Sequence, residues 1–153
     1  FDDGGISMFK EGLPILNKYK IPATQFMIGK YDALSKMCTY ASPYISFQSH
    51  SYNMHFPDTL ASGESHHQIG KLSKSEIIAD LTANRDIVGN NHAFAYPYGD
   101  YTPDARSALR DMGVLCSFTI KRGKVYPGDD PTILKRIGVY NTTDFDTFVA
   151  GLN

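Results

Sequence analysis

The sequence predicts an α/β fold built on a parallel sheet or barrel. Three observations support this. Short strand-like apolar runs alternate with helix-like ones along the 153 residues. With 42% hydrophobic and 20% charged residues, the chain has apolar material for one domain-sized core. The residues with chemical potential cluster where strands end, the place such folds reserve for chemistry.

The elements follow in order. Residues 6–19 keep helical spacing through Ile6, Phe9, Leu13, Leu16 and Tyr19. After Pro22, residues 23–28 read as a short buried strand. Residues 31–40 are helical in pattern and Pro43 stops them; residues 45–49 form the second strand. The polar stretch 57–71, with Gly63, Gly70 and His66-His67, reads as a surface loop. Ser73 with Glu76 is a capping box that opens a helix to about Val88. Residues 93–96 are the third strand. Thr102-Pro103 opens a helix that Gly113 ends. Residues 114–120 are the fourth strand, 124–131 a turn-rich loop, 134–140 the fifth strand and 143–152 a last short helix. No internal repeat or linker divides the chain.

Charge and composition narrow the function. A net charge of −1 and a pI near 6.6, without a basic stripe, argue against nucleic-acid binding. No apolar run approaches the roughly 18 residues of a membrane span. Cys38 and Cys116 are compatible with one bridge or with two free thiols. The chain opens at Phe1 directly into a dense motif, so it is expected to be an N-terminally truncated piece whose first strand lies largely upstream, with any targeting segment.

Three clusters could carry chemistry. Asp2 and Asp3 precede Gly4-Gly5, where the backbone can turn and bring both carboxylates to one site. One could hold a cation while the other stays free as a base; a solvated Asp-Gly turn is the structural alternative. His50 and His55 flank Ser51-Tyr52-Asn53-Met54. At this spacing a regular helix would set them about 140° apart. They can share an ion only if the strand ends near His50 and the chain then coils; one packed and one exposed histidine is the alternative. Two histidines and one aspartate with an open position form a catalytic zinc pattern. Tyr96-Pro97-Tyr98-Gly99 ends a strand in a rigid turn whose N–H groups could hold an oxyanion and whose tyrosines could wall a sugar site, or it is an aromatic turn packed on the core. His66-His67, His92 and Lys121-Arg122 are expected to be solvated or structural.

Taken together and in order, these motifs resemble the NodB-type polysaccharide deacetylases, carbohydrate esterase family 4. Phe1-Asp2-Asp3-Gly4 is similar to the family's first motif, His50-Ser51 through His55 to its second and Tyr96-Pro97-Tyr98-Gly99 to its third. Leu13-Pro14-Ile15-Leu16 and Ile21-Pro22-Ala23-Thr24-Gln25-Phe26 also fit, so the resemblance spans essentially the whole chain. The interval from His50 to His55 is one residue longer than the commonest family spacing and resembles the branch that de-N-acetylates poly-β-1,6-N-acetylglucosamine.

The resemblance implies a distorted (β/α) barrel, a single NodB homology domain over residues 1–153, and metal-dependent removal of N-acetyl groups from N-acetylglucosamine units of an extracellular or cell-surface polysaccharide. Asp3, His50 and His55 would hold one divalent cation, zinc before cobalt or nickel. Asp2 would be the catalytic base, the Tyr98 N–H would steady the oxyanion, and Tyr96, Pro97 and Tyr98 would meet substrate. The departures are Ala95, where the family often places an arginine that braces the base; the absence of Trp; and the absence of any His after His92, which leaves the general acid unassigned. They resemble the same exopolysaccharide-directed branch. The rivals are a deacetylase of peptidoglycan, chitin oligomers or xylan, and a carbohydrate-binding pseudoenzyme that keeps the cation without turnover.

Overall fold

The computed structural model describes residues 1–55 and 68–152. Among them five strands form one sheet in the order β1 (Ala23–Met27), β2 (Ile45–Ser49), β3 (Ala93–Ala95), β4 (Cys116–Arg122) and β5 (Leu134–Arg136). Every pairing is parallel, as the alternation of strands and helices requires. The helices are α1 (Leu13–Tyr19), α2 (Ala33–Thr39), α3 (Lys74–Val88), α4 (Pro103–Asp111) and α5 (Phe145–Leu152). All strand C-terminal ends therefore point the same way, and the loops that leave β1, β2 and β3 emerge side by side.

β1 and β5 are not hydrogen-bonded to each other among the described residues, so the sheet is open. Phe1 makes both bonds of a parallel pairing outside β1: its terminal amine donates to the Thr24 carbonyl at 2.8 Å, and its own carbonyl accepts from the Phe26 N–H at 2.8 Å. Residues 1–3 thereby stand beside the β1 end and aim their carboxylates at the same rim.

Local chemistry explains most boundaries. Ser73 caps α3: its hydroxyl accepts from the Glu76 N–H while Glu76 Oε2 accepts from the Ser73 N–H at 2.8 Å. Thr102 caps α4 through the Ala105 N–H at 3.1 Å. The expected helix over 6–19 is present along its whole length, with a widened π turn at Met8–Gly12 ahead of α1. Pro14 lacks the N–H that would reach back one turn, which loosens the ladder ahead of it. The fifth strand is shorter than the expected 134–140, because β4 ends its ladder at the Arg122–Arg136 pair and nothing extends the pairing further. His66 and His67 lie outside the described residues. Both cysteines are free, so of the two options for Cys38 and Cys116 the unbridged one holds.

Two apolar clusters support this frame. One gathers Met54, Ile77, Leu81, Phe94, Tyr96 and Leu109; the other gathers Phe9, Leu13, Met27, Ala33, Ile45 and Val88. Met54 is 1% exposed, so the loop after β2 is anchored in the core at the residue just before His55. Leu81 on α3 is also 1% exposed. Leu81→Ala should destabilise the fold by about 2–5 kcal/mol, the usual range for a buried leucine truncation, as read from urea unfolding.

Candidate active site

The ends of β2 and β3 and the N-terminal segment beside β1 build the site, each through a non-glycine residue in the left-handed region: Ser51 (φ 71°), Tyr98 (φ 57°) and Asp3 (φ 72°). Such residues cost on the order of 1–3 kcal/mol each and cluster where function over-determines the backbone. At Asp3 the turn splits the two aspartates. Gly4 follows at φ 70°, where a side chain is strained, and a Cβ there would lie 2.8 Å from Met27 Cε and push that side chain aside.

Asp3 Oδ1 lies 3.2 Å from His50 Nε2 and 3.3 Å from His55 Nε2. One donor atom from each residue lies within 4.8 Å of the others. His50 is 2% exposed, and its Nδ1 sits 2.7 Å from the Ala95 carbonyl. A carbonyl only accepts, so Nδ1 carries the proton and Nε2 presents a lone pair. Asp3 Oδ1 and the two Nε2 atoms thus face one another across a short gap. The donor set of two imidazoles and one carboxylate suits a divalent transition ion with an open position. The bond from Nδ1–H to a backbone carbonyl is the usual means of orienting a ligating histidine.

The charges support ligation. His50 holds the Asp3 carboxyl below its ordinary pKa against the opposing effect of burial. Burial and the neighbouring His50 lower the His55 pKa, which keeps its imidazole neutral. The two imidazole rings are 4.7 Å apart, and the Tyr98 ring lies 4.4 Å from that of His55.

Asp2 turns the other way. Its carboxylate is gripped by Arg136 from β5, Nη1 on Oδ1 and Nη2 on Oδ2, both at 2.8 Å. Burial raises the Asp2 pKa, but Arg136 and His50 outweigh it and the carboxyl sits below its usual range. Sequence reasoning missed Arg136. A brace was expected at position 95, where Ala95 stands; the arginine that grips Asp2 comes instead from β5. Arg136 Nε also donates to the Thr119 carbonyl at 2.9 Å, which fixes the guanidinium on β4.

A cleft of about 570 Å³ opens beside the centre, lined by Asp3, Lys30, Tyr31, His55 and Tyr98 among others, a size that fits a sugar ring. Tyr98 is on it. Tyr96 is not: it is 0% exposed, its hydroxyl donates to the Thr132 carbonyl at 2.9 Å, and burial pushes its pKa up to about 12. Pro97 is buried as well. The expectation that Tyr96 and Pro97 meet substrate through their side chains is therefore corrected. The strand's alternation turns the Tyr96 ring into the core, edge-on to Phe94 at 5.2 Å.

The parallel sheet and the carboxylate beside two histidines define an α/β protein with a candidate metal centre on the rim of its sheet. The polysaccharide deacetylase family model matches residues 1–116, and the chain belongs to that family. Among curated relatives, the poly-beta-1,6-N-acetyl-D-glucosamine N-deacetylase of Staphylococcus epidermidis is 29% identical over 97% of this chain and 56% of its own length. The Staphylococcus aureus enzyme of the same name is 28% identical over 90% of this chain and 52% of its own. The chain thus spans about half the length of the curated relatives it matches. Two solved structures share the fold. IcaB from Ammonifex degensii aligns with a TM-score of 0.73 at 24% identity, covering 99% of this chain and 70% of that one. The Streptococcus pyogenes deacetylase PplD, solved with acetate, aligns with a TM-score of 0.80 at 21% identity, covering 100% and 68%.

Replacing Arg136 with Gln removes the bidentate partner and leaves burial less opposed. The Asp2 pKa should then rise, so the carboxylate is lost at a higher pH than in the parent chain. Carboxyl-carbon NMR titration of Asp2 checks this.

Proposed function

We propose that the chain is a metal-dependent hydrolase that removes N-acetyl groups from N-acetylglucosamine units of an extracellular poly-β-1,6-N-acetylglucosamine. The observation that carries the proposal is the convergence of Asp3, His50 and His55 lone pairs beside an ionised, arginine-braced Asp2. The substrate follows from the names of the Staphylococcus relatives and from family membership. Among the described residues no helix is long and apolar enough to cross a membrane. The surface location rests on the nature of the polymer.

Asp3, His50 and His55 would hold a divalent cation, which would supply Lewis-acid polarisation of the acetyl carbonyl and a more acidic water. Asp2, held ionised by Arg136, takes the proton of the attacking water on a carboxylate oxygen. The Tyr98 backbone N–H donates to the developing oxyanion, a contribution of about 2.7–4 kcal/mol for one such donor. The Tyr98 ring walls the sugar. As the C–N bond breaks, the proton taken by Asp2 returns to the leaving nitrogen, so the products are acetate and a glucosamine unit. A carbohydrate-binding module that had kept only the cation would have no use for a free base beside it.

Acetate release from an acetylated β-1,6-glucosamine oligomer, with and without added zinc, tests the proposal. Release that needs the cation is expected; no release from a zinc-loaded chain would leave a binding module. Asp2→Asn should keep the cation and lose turnover by about 10²–10⁴-fold, since an amide cannot take the proton. His50→Ala should lose the cation, as read by elemental analysis.

Affinity for the cation should depend on pH with a definite sign. Only neutral imidazole ligates, and burial holds His55 below the ordinary histidine value of about 6.5. Zinc affinity should therefore hold near neutrality and fall only as pH drops below that value, as measured by chelator competition across pH.

A further inference from the structure

Helix α3 places Asp80 and Asn84 one turn apart on the flank that backs the β1 and β2 ends. Neither lies in the three motifs, and the catalytic reading does not use either. Asp80 accepts the Tyr52 N–H on Oδ1 at 2.7 Å and the Asn53 N–H on Oδ2 at 2.8 Å. Asn84 is 0% exposed; its Nδ2 donates to the Met27 carbonyl at 3.0 Å and to the Ser49 hydroxyl at 2.7 Å. The Met27 carbonyl also accepts the His50 N–H at 2.9 Å. From the opposite side, the Gly29 and Lys30 N–H groups donate to the Ser51 and Tyr52 carbonyls at 3.0 and 3.1 Å. Gly29 packs so tightly on Asn84 Oδ1 and on the Tyr52 ring that a Cβ would collide with both.

These bonds fall on the segment that separates the two histidines. His50 belongs to the end of β2 and is oriented by the Ala95 carbonyl. His55 lies beyond an irregular coil and returns to the centre only if that coil keeps its shape. Two adjacent backbone donors need two acceptor atoms at a fixed spacing, which a carboxylate provides. An amide at position 80 would offer one oxygen and turn its NH₂ on the other N–H. Burial pushes the Asp80 carboxyl up, so a charged group here is costly, and the two N–H bonds it collects offset only part of that cost.

We propose that Asp80, backed by Asn84, is a positioning residue that sets the coil from His50 to His55 and thereby brings His55 onto the cation. The inference rests on the reading of Asp3, His50 and His55 as ligands.

Zinc affinity by chelator competition, amide exchange at Tyr52 and Asn53, and melting temperature test it together. Asp80→Asn should weaken zinc binding by about 10–100-fold, the usual effect of losing a residue that orients a ligand, and should speed exchange at both amides. Asp80→Glu, which keeps a two-oxygen acceptor, should recover most of the affinity. Leu81→Ala, the core truncation on the same helix, should lower the melting temperature and leave zinc affinity unchanged. If Asp80→Asn does not fold, Asp80→Ser carries the same measurement. An Asp80 variant that binds zinc as the parent does, or that loses no more affinity than Leu81→Ala, overturns the clamp alone. A parent chain that takes up no zinc overturns the ligand reading, and the clamp's purpose with it.

Discussion

The site depends on a single hydrogen bond, from His50 Nδ1 to the carbonyl of Ala95. It ties the end of β2 to the end of β3 at the point where the ladder between them is down to one paired residue, Ser49 with Phe94. It also decides which imidazole nitrogen keeps a lone pair. With Nδ1 committed to a carbonyl, Nε2 is the ring atom turned to Asp3 Oδ1, and in the neutral ring it is the one that can ligate.

The rest of the rim divides labour around that centre. Asp3 faces the histidines, while Asp2, one residue earlier, faces Arg136. Two carboxylates this close could share a proton or repel one another. Here each has its own partner, so both stay ionised and only one is free to take a proton from a reactant. The loop before β5 is held in turn by Arg106, which donates to Thr132 and pairs with Asp130, while Tyr96 donates to the Thr132 carbonyl. The buried tyrosine thus helps hold the loop that leads to Arg136, rather than touching sugar.

Much of the fold was legible because it rests on local signals. The Ser73–Glu76 box, the Thr102 cap and the period-3.6 runs place α3 and α4. The short apolar runs between them read as strands, and alternation made the sheet parallel. What was not legible lay in the detail that neighbours decide. The fifth strand stops at Arg136 because β4 offers no further partner, and nothing in residues 137–140 records that. The first helix widens ahead of Pro14, although its apolar spacing continues unbroken.

By itself the sequence singled out Asp2, Asp3, His50 and His55 as candidates at strand ends, and the family resemblance chose Asp3, His50 and His55 among them as the proposed ligands; the structure brings those three together. The sequence also held the condition for their use, a chain that coils after His50. Only the tertiary structure decided how that condition is met and what braces the base. Arg136 reaches Asp2 across 134 residues of chain, and Asp80 reaches Tyr52 and Asn53 across 28 and 27. Such pairings leave no periodicity and no motif spacing. They exist because parallel strands bring their C-terminal ends to one rim, where a charged or backbone group must find a partner among whatever the neighbouring elements present.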